Sequence, residues 1–206
     1  MTAPRPGRHA DGELLVWHLR NPLLCVSSAP LGGGLGVRTW IVNAQVPTDY
    51  ARTDLDVHLR SLAREQGCIG DGVGMLTAAQ VGNVASATDR DVSVYATVGL
   101  TRPTWASDCD DAHSTWQPGT INVVAFLPVR LSDAALVNAV MTVTEAKTQA
   151  LVEAGVPGTG TASDAVCIAC PATGGVEPFG GPRSSVGAPL ARATYMAISQ
   201  RARPSQ

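Results

Sequence analysis

The side chains best suited to chemistry fall in two neighbouring stretches, Glu145-Ala146-Lys147 and Thr159-Gly160-Thr161-Ala162-Ser163-Asp164. Lys147 is the single lysine of the 206-residue chain, which otherwise places arginine at its basic positions. A lysine ammonium is compact and its pKa moves on burial, which a guanidinium cannot imitate. The second stretch carries three hydroxyls and a carboxylate. Hydroxyls there can serve as nucleophiles or orient a substrate, and Asp164 can orient or polarise a partner. Two plainer readings stand beside these: the Lys147 stem packs while its ammonium reaches water, and the Thr/Ser/Asp turn bonds its own backbone. The chain lacks a G-x-S-x-G elbow, so an α/β-hydrolase reading does not fit.

The elements that must position these groups follow from periodicity. Ser132 and Asp133 form an N-cap and an N-terminal charge for a long helix, and Gly155 with Pro157 ends it. At 100° per residue, Leu136, Val140, Val143 and Leu151 share one stripe with Ala139 and Ala150, and Lys147 falls within it. Asn138, Thr142, Glu145 and Gln149 take the opposite, polar face, which makes Glu145 a solvated residue on periodicity alone. The turn at 159–164 then opens the apolar strand Ala165-Val166-Cys167-Ile168-Ala169-Cys170.

Residues 1–12 read as a disordered tail and 13–206 as a single domain. LLVWHL and LLCVSSA read as two short strands separated by the Arg20-Asn21-Pro22 turn. After Gly32-Gly33-Gly34, a turn or a phosphate-cradling loop, GVRTWIVNAQV reads as a third strand. Leu55, Leu59 and Leu62 mark a helix over Leu55 to Gln66, with His58 off the stripe and solvated. A hairpin turns at Asp89-Arg90-Asp91. The polar loop TRPTWASDCDDAHSTWQPG is long enough for a lid, and Trp105 and Trp116 in it either stack on a planar ligand or pin the loop down. TINVVAFLPVRL reads as a central strand buried on both faces, and a last helix runs from about Pro189 to Gln200. The order of elements requires antiparallel and crossover connections together, so the expected fold is α+β, a mixed sheet covered by helices.

Composition removes several function classes. A net charge of −2 with scattered charges gives no footprint for nucleic acid or an anionic membrane. No apolar run suits a spanning helix, and the N-terminus has no secretory apolar segment, so the simplest reading is a soluble cytoplasmic protein. Five cysteines suit reduced thiols. Cys167 and Cys170 point to opposite faces of a strand, Cys109 with His113 makes at most half a ligand set, and the four histidines are scattered, so neither a metal nor another cofactor is expected.

Six stretches in order, VNAQVPTDY, GVGMLTAAQV, ATVGLTRPTWA, GTINVV, TEAKTQAL and TGTASDAVCIACP, resemble the adenosylcobinamide amidohydrolase (CbiZ) family. The resemblance implies hydrolysis of the amide joining aminopropanol to the corrin ring of adenosylcobinamide, giving adenosylcobyric acid in corrinoid salvage, with a corrinoid as the small-molecule partner. Through the matching motifs it implies site roles for Asn43, Asp49, Thr77, Thr120, Asn122, Glu145, Lys147, Thr159, Thr161 and Asp164, to which the residue reading adds Trp105, Gly160 and Ser163. The family's T-G-T-G-T-D departs here to Ala162 and Ser163: serine keeps a hydroxyl, whereas alanine disfavours positive φ. One mechanism takes Thr161 or Ser163 as nucleophile activated by Lys147, with Asp164 orienting and Asn122 or backbone N–H groups receiving the oxyanion. Another uses Asp164 or Glu145 as general base on water, and a corrinoid-binding or chaperone protein without chemistry is the third reading.

Overall fold

β-branched runs and alternating patterns carry most of the described residues, 3–108 and 119–202 of this computed structural model, into one mixed sheet. Its strands are β1 (Arg5–His9), β2 (Gly12–Ser27), β3 (Gly34–Gln45), β4 (Gly72–Thr77), β5 (Ala85–Asp89), β6 (Val92–Val98), β7 (Ile121–Phe126) and β9 (Ala165–Pro171). A separate two-stranded piece pairs β8 (Arg130–Leu131) with β10 (Val176–Glu177). The helices are α1 (Leu55–Glu65), α2 (Asp133–Glu153) and α3 (Gly187–Ala202). The order is β4-β3-β2-β9-β7-β6-β5, with β1 on β2. Within this sheet, among the described residues, the parallel pairs are β3–β4 and β7–β9, and α1 and α2 are the crossovers that those parallel neighbours need. The fold is therefore the expected α+β domain, not a doubly wound parallel sheet.

Several local expectations change. Arg5–His9, inside the stretch expected to be a disordered tail, is antiparallel to β2. The two expected strands around Arg20-Asn21-Pro22 are one, β2, with a register shift between His18 and Leu23. Pro22 has no N–H for a ladder, so the chain bulges there instead of turning back. His58 is buried, not solvated. The segment after β3 folds over it, stacking Tyr50 on the imidazole with ring centroids 5.6 Å apart, and burial holds the His58 pKa below its ordinary value. Thr142 is also buried and donates to the Gly180 carbonyl at 2.9 Å, because the segment leading into α3 covers that part of α2.

Other expectations hold. The hairpin between β5 and β6 has Asp89 opposite Val92, so Arg90 and Asp91 form the loop. Of the strand expected over TINVVAFLPVRL, Ile121–Phe126 forms β7, buried along its whole length, whereas Arg130–Leu131 leaves the sheet to pair with β10. The Ser132 side chain accepts from Ala135 N–H and starts α2. At the other end Gly155 adopts φ +74°, while Val156 N–H bonds Leu151 O and Gly155 N–H bonds Val152 O, a Schellman ending.

Packing explains where a site can form. The small-residue stripe of α2 and the inner face of α3 bury Leu136, Val143, Leu190 and Ile198 against Val94, Val123 and Ile168 of the sheet. α1 covers Leu14, Val16 and Val42. The remaining face curls on itself: Trp17 of β2 meets Tyr95 of β6 at 5.6 Å and Phe126 of β7 at 6.4 Å between ring centroids. Asn122 of β7 donates to the Leu76 carbonyl of β4 at 2.8 Å, although three strands lie between them in sheet order. This curl brings the ends of β3 and β4 against the starts of β7 and β9. Among the described residues, no helix is long and apolar enough to cross a membrane.

Candidate active site

The turn before β9 is built around the Asp164 carboxylate. Lys147 Nζ donates to its Oδ2 in an ion pair whose side chains are only 10% and 14% exposed. Thr161 N–H donates to Oδ2 at 3.1 Å, and Ile121 N–H and the Thr161 hydroxyl bond Oδ1 at 2.9 and 2.5 Å. The Thr161 hydroxyl also lies 2.6 Å from the Gly119 carbonyl. Lys147 Nζ and two backbone N–H groups, with the Thr161 hydroxyl shared between Asp164 and the Gly119 carbonyl, make the Asp164 carboxylate the hydrogen-bonded centre of the turn. Lys147 is neither snorkelled to open water nor paired with a hydroxyl: its Nζ is paired with the Asp164 carboxylate.

Gly160 is required by this geometry. A Cβ there would lie 2.5 Å from Lys147 Nζ and still nearer the Asp164 carboxylate, so any side chain would push the ion pair apart. The Gly160 carbonyl accepts from Thr104 N–H at 2.8 Å, and Thr159 N–H donates to the Thr104 carbonyl at 2.9 Å. The Thr159 hydroxyl accepts from Ala106 N–H at 3.1 Å. These bonds fasten the start of the long loop to the turn and leave Trp105 47% exposed beside it. Trp116, Cys109 and His113 lie outside the described residues. Ala162 is exposed and has no positive φ, so the expected backbone penalty for alanine does not arise.

Ser163 and Thr120 carry hydroxyls to the wall of a cavity. Their Oγ atoms are 2.9 Å apart, and Ser163 also reaches the Gly119 carbonyl at 3.2 Å. Both line a cavity of about 320 Å³ together with Thr77, Leu76, Val46, Tyr50 and Arg52. Its wall is mainly apolar with few polar groups, the usual character of a small-molecule site. Arg52 is held in place by Asp54 at 2.7 and 2.9 Å.

Beneath the cavity, Thr77, Asn43 and Asn122 are buried. Asn43 Nδ2 donates to the Thr97 hydroxyl at 3.0 Å, and Asn122 Nδ2 donates both to Asn43 Oδ1 and to the Leu76 carbonyl at 2.8 Å. A backbone carbonyl only accepts, which fixes the Asn122 amide orientation. Both its N–H groups are spent, so Asn122 has no donor for an oxyanion, and its Oδ1 is buried without a partner.

The fold thus brings together Lys147, Asp164, Thr161, Ser163, Thr120, Gly160 and Thr159, and sets Asn43, Thr77 and Asn122 under the same cavity. It does not bring in Glu145, which is exposed and lines a separate groove between α2 and α3. Asp49 is exposed, one residue from the cavity-lining Tyr50. Sequence reasoning missed Arg52 and Tyr50. Tyr50 closes the VNAQVPTDY stretch and could have been taken with it, whereas nothing marks Arg52 among fourteen arginines. The Cys167 thiol is held protonated by its Cys25 neighbour and by burial, and burial also raises Cys170, so the C-x-x-C is a packed pair of core thiols.

A mixed α+β sheet whose curled end gathers hydroxyls, a buried Lys–Asp pair and an apolar cavity is the scaffold of a small-molecule hydrolase. The sequence profile of the adenosylcobinamide amidohydrolase family matches residues 3–205. A Methanosarcina mazei protein named adenosylcobinamide amidohydrolase is 30% identical over 161 residues, 75% of this chain and 76% of that protein. One of the same name from Halobacterium salinarum is 42% identical over 104 residues, 47% of this chain and 44% of its own length. The crystal structure of the PH0078 protein from Pyrococcus horikoshii covers 96% of this chain and 81% of its own, with 12% identity and a TM-score of 0.46. The chain belongs to the adenosylcobinamide amidohydrolase family and is an amidohydrolase.

Proposed function

We propose that this chain hydrolyses the amide that joins aminopropanol to the corrin ring of adenosylcobinamide, releasing adenosylcobyric acid for corrinoid salvage. The observation that carries this reading is the pair of hydroxyls, Ser163 and Thr120, on the wall of a largely apolar cavity beside the buried Lys147–Asp164 pair. A cavity of about 320 Å³ is far smaller than a corrin macrocycle. It suits the aminopropanol arm, with the macrocycle outside the mouth near exposed Trp105. A reducing, cytoplasmic setting fits the free thiols Cys25, Cys167 and Cys170.

In this reading Ser163 Oγ attacks the amide carbon, and its proton leaves through the Thr120 hydroxyl toward the departing amine. The C–N bond then breaks, aminopropanol leaves, and water hydrolyses the acyl-serine to the carboxylic acid. Asp164 and Lys147 are positioning residues: they hold the turn so that Ser163 faces the cavity, and the ammonium adds positive potential where the oxyanion forms. This favours Ser163 over Thr161, whose hydroxyl is engaged by Asp164 and Gly119. It also disfavours Asp164 as general base. Purified protein incubated with adenosylcobinamide should release aminopropanol, detected by mass spectrometry. Corrinoid binding without release of aminopropanol overturns the reading in favour of a carrier.

A further inference from the structure

On the far side of Tyr50 from the cavity, the fold gathers a second set of chemically capable side chains. His9 and Asp11 sit where β1 turns into β2, and His58 lies in α1. Along the chain they are separated by all of β2 and β3, which is why spacing alone shows no ligand set. In space, one ligand-competent atom from each lies within 4.8 Å of the others.

The two imidazoles are already oriented. His9 Nε2 is 2.8 Å from the Gln45 carbonyl, which can only accept, so Nε2 carries the proton and Nδ1 presents its lone pair. Among the described residues, the hydrogen bond there is a long one, 3.4 Å, from Asp11 N–H. His58 Nδ1 is 2.7 Å from the Tyr50 hydroxyl, which leaves Nε2 available. Metal-bound imidazoles have this arrangement: one nitrogen on the ion, the other tied to a carbonyl or another oxygen that fixes ring and tautomer. Two bonds of about 2.0–2.2 Å span at most about 4.4 Å, so closing a shell needs a few tenths of an ångström. Exposed Asp11 can supply that by a rotamer adjustment.

We propose that His9, Asp11 and His58 bind one divalent transition-metal ion of the zinc class. Two imidazoles and a carboxylate are a zinc-type donor set, with a fourth position for water. The ion clips the β1–β2 turn to α1 and backs Tyr50, and through Tyr50 it stiffens the cavity wall. Amide hydrolysis as proposed above does not run through it, so the two proposals stand or fall separately.

The full-length protein is titrated with Zn²⁺ against a chromophoric chelator while its melting temperature is followed. One Zn²⁺ per chain should bind and the melting temperature should rise with Zn²⁺ concentration. Asp11→Asn and His9→Gln should each weaken binding by at least about tenfold and remove the rise, with metal-free melting unchanged in Asp11→Asn, whose residue is exposed. Visible d–d bands of bound Co²⁺, lost in either variant, give a readout independent of stability. No Zn²⁺ bound at micromolar concentrations, affinity unchanged in both variants, or sulfur-to-cobalt charge-transfer bands that place the ion on cysteines would each overturn the proposal.

Discussion

The two faces of α2 carry the chemistry-bearing pair Glu145 and Lys147 to different surroundings. On the sheet side, Lys147 and Asp164 form a nearly buried ion pair under a turn whose Ser163 reaches a cavity of about 320 Å³. On the outer side, Glu145 lines a groove of about 660 Å³ between α2 and α3, beside Asp89, Arg192 and Arg183. The groove is twice as large, yet Glu145, Arg183 and Arg192 are exposed there, and Arg192 pairs with the half-buried Asp89. Convergence of few polar groups on a mainly apolar cavity, more than volume, sets the candidate site apart from the groove.

The largest effect that could break this comparison is on Ser163. Ser163→Ala should lower turnover by about a thousandfold or more with an unchanged melting temperature, measured by aminopropanol release. If Thr161→Ala lost as much while Ser163→Ala kept near-normal turnover, the nucleophile would be misassigned. Next comes Lys147→Met, which leaves the Asp164 charge buried. Breaking such a pair costs about 3–5 kcal/mol, here toward the lower end because three donors still serve the carboxylate, and urea unfolding reads it. Asp164→Asn added to Lys147→Met should restore much of that stability.

On the groove side the expected effects are small. Arg192 holds the Asp89 carboxyl below its ordinary pKa of 3.8. A depressed carboxylate pKa stabilises the fold at pH above that ordinary value, and the contribution disappears as pH falls through the folded pKa. Arg192→Ala should therefore melt slightly below the wild type at neutral pH, with the two curves meeting in acid. Arg192 is half exposed to solvent, so the gap is small and shrinks with salt. Glu145→Gln should be the smallest change of all, within about twofold in turnover and about 0.5 kcal/mol in stability. A large loss of turnover in that variant would move the site to the outer face of α2.

Much of the site was legible from residue types. A lone lysine on an apolar stripe, followed by a hydroxyl-rich turn ending in Asp164, pointed to the end of α2 where the structure gathers the candidate site. Glu145 and Lys147 share a motif, and only helical angle separated them. Asn122 shows the limit of such reading: an amide in the right place suggests an oxyanion donor, but its N–H groups are consumed by Leu76 and Asn43 from strands far away in sequence. His58 shows the same limit, since a helix stripe says nothing about a segment outside the helix, such as the one carrying Tyr50, covering its polar side.

By itself the sequence determined the mixed α+β fold class, the caps and stripe of α2, the β5–β6 hairpin and the family resemblance, because these rest on local propensities and on periodicities of 2 and 3.6 residues. Only the tertiary structure decided that Lys147 meets Asp164 and that Ser163, not Thr161, faces a cavity. It also decided that His9, Asp11 and His58 converge. Those outcomes depend on how far the sheet curls and which strands become neighbours, and such long-range contacts leave no local period in the chain.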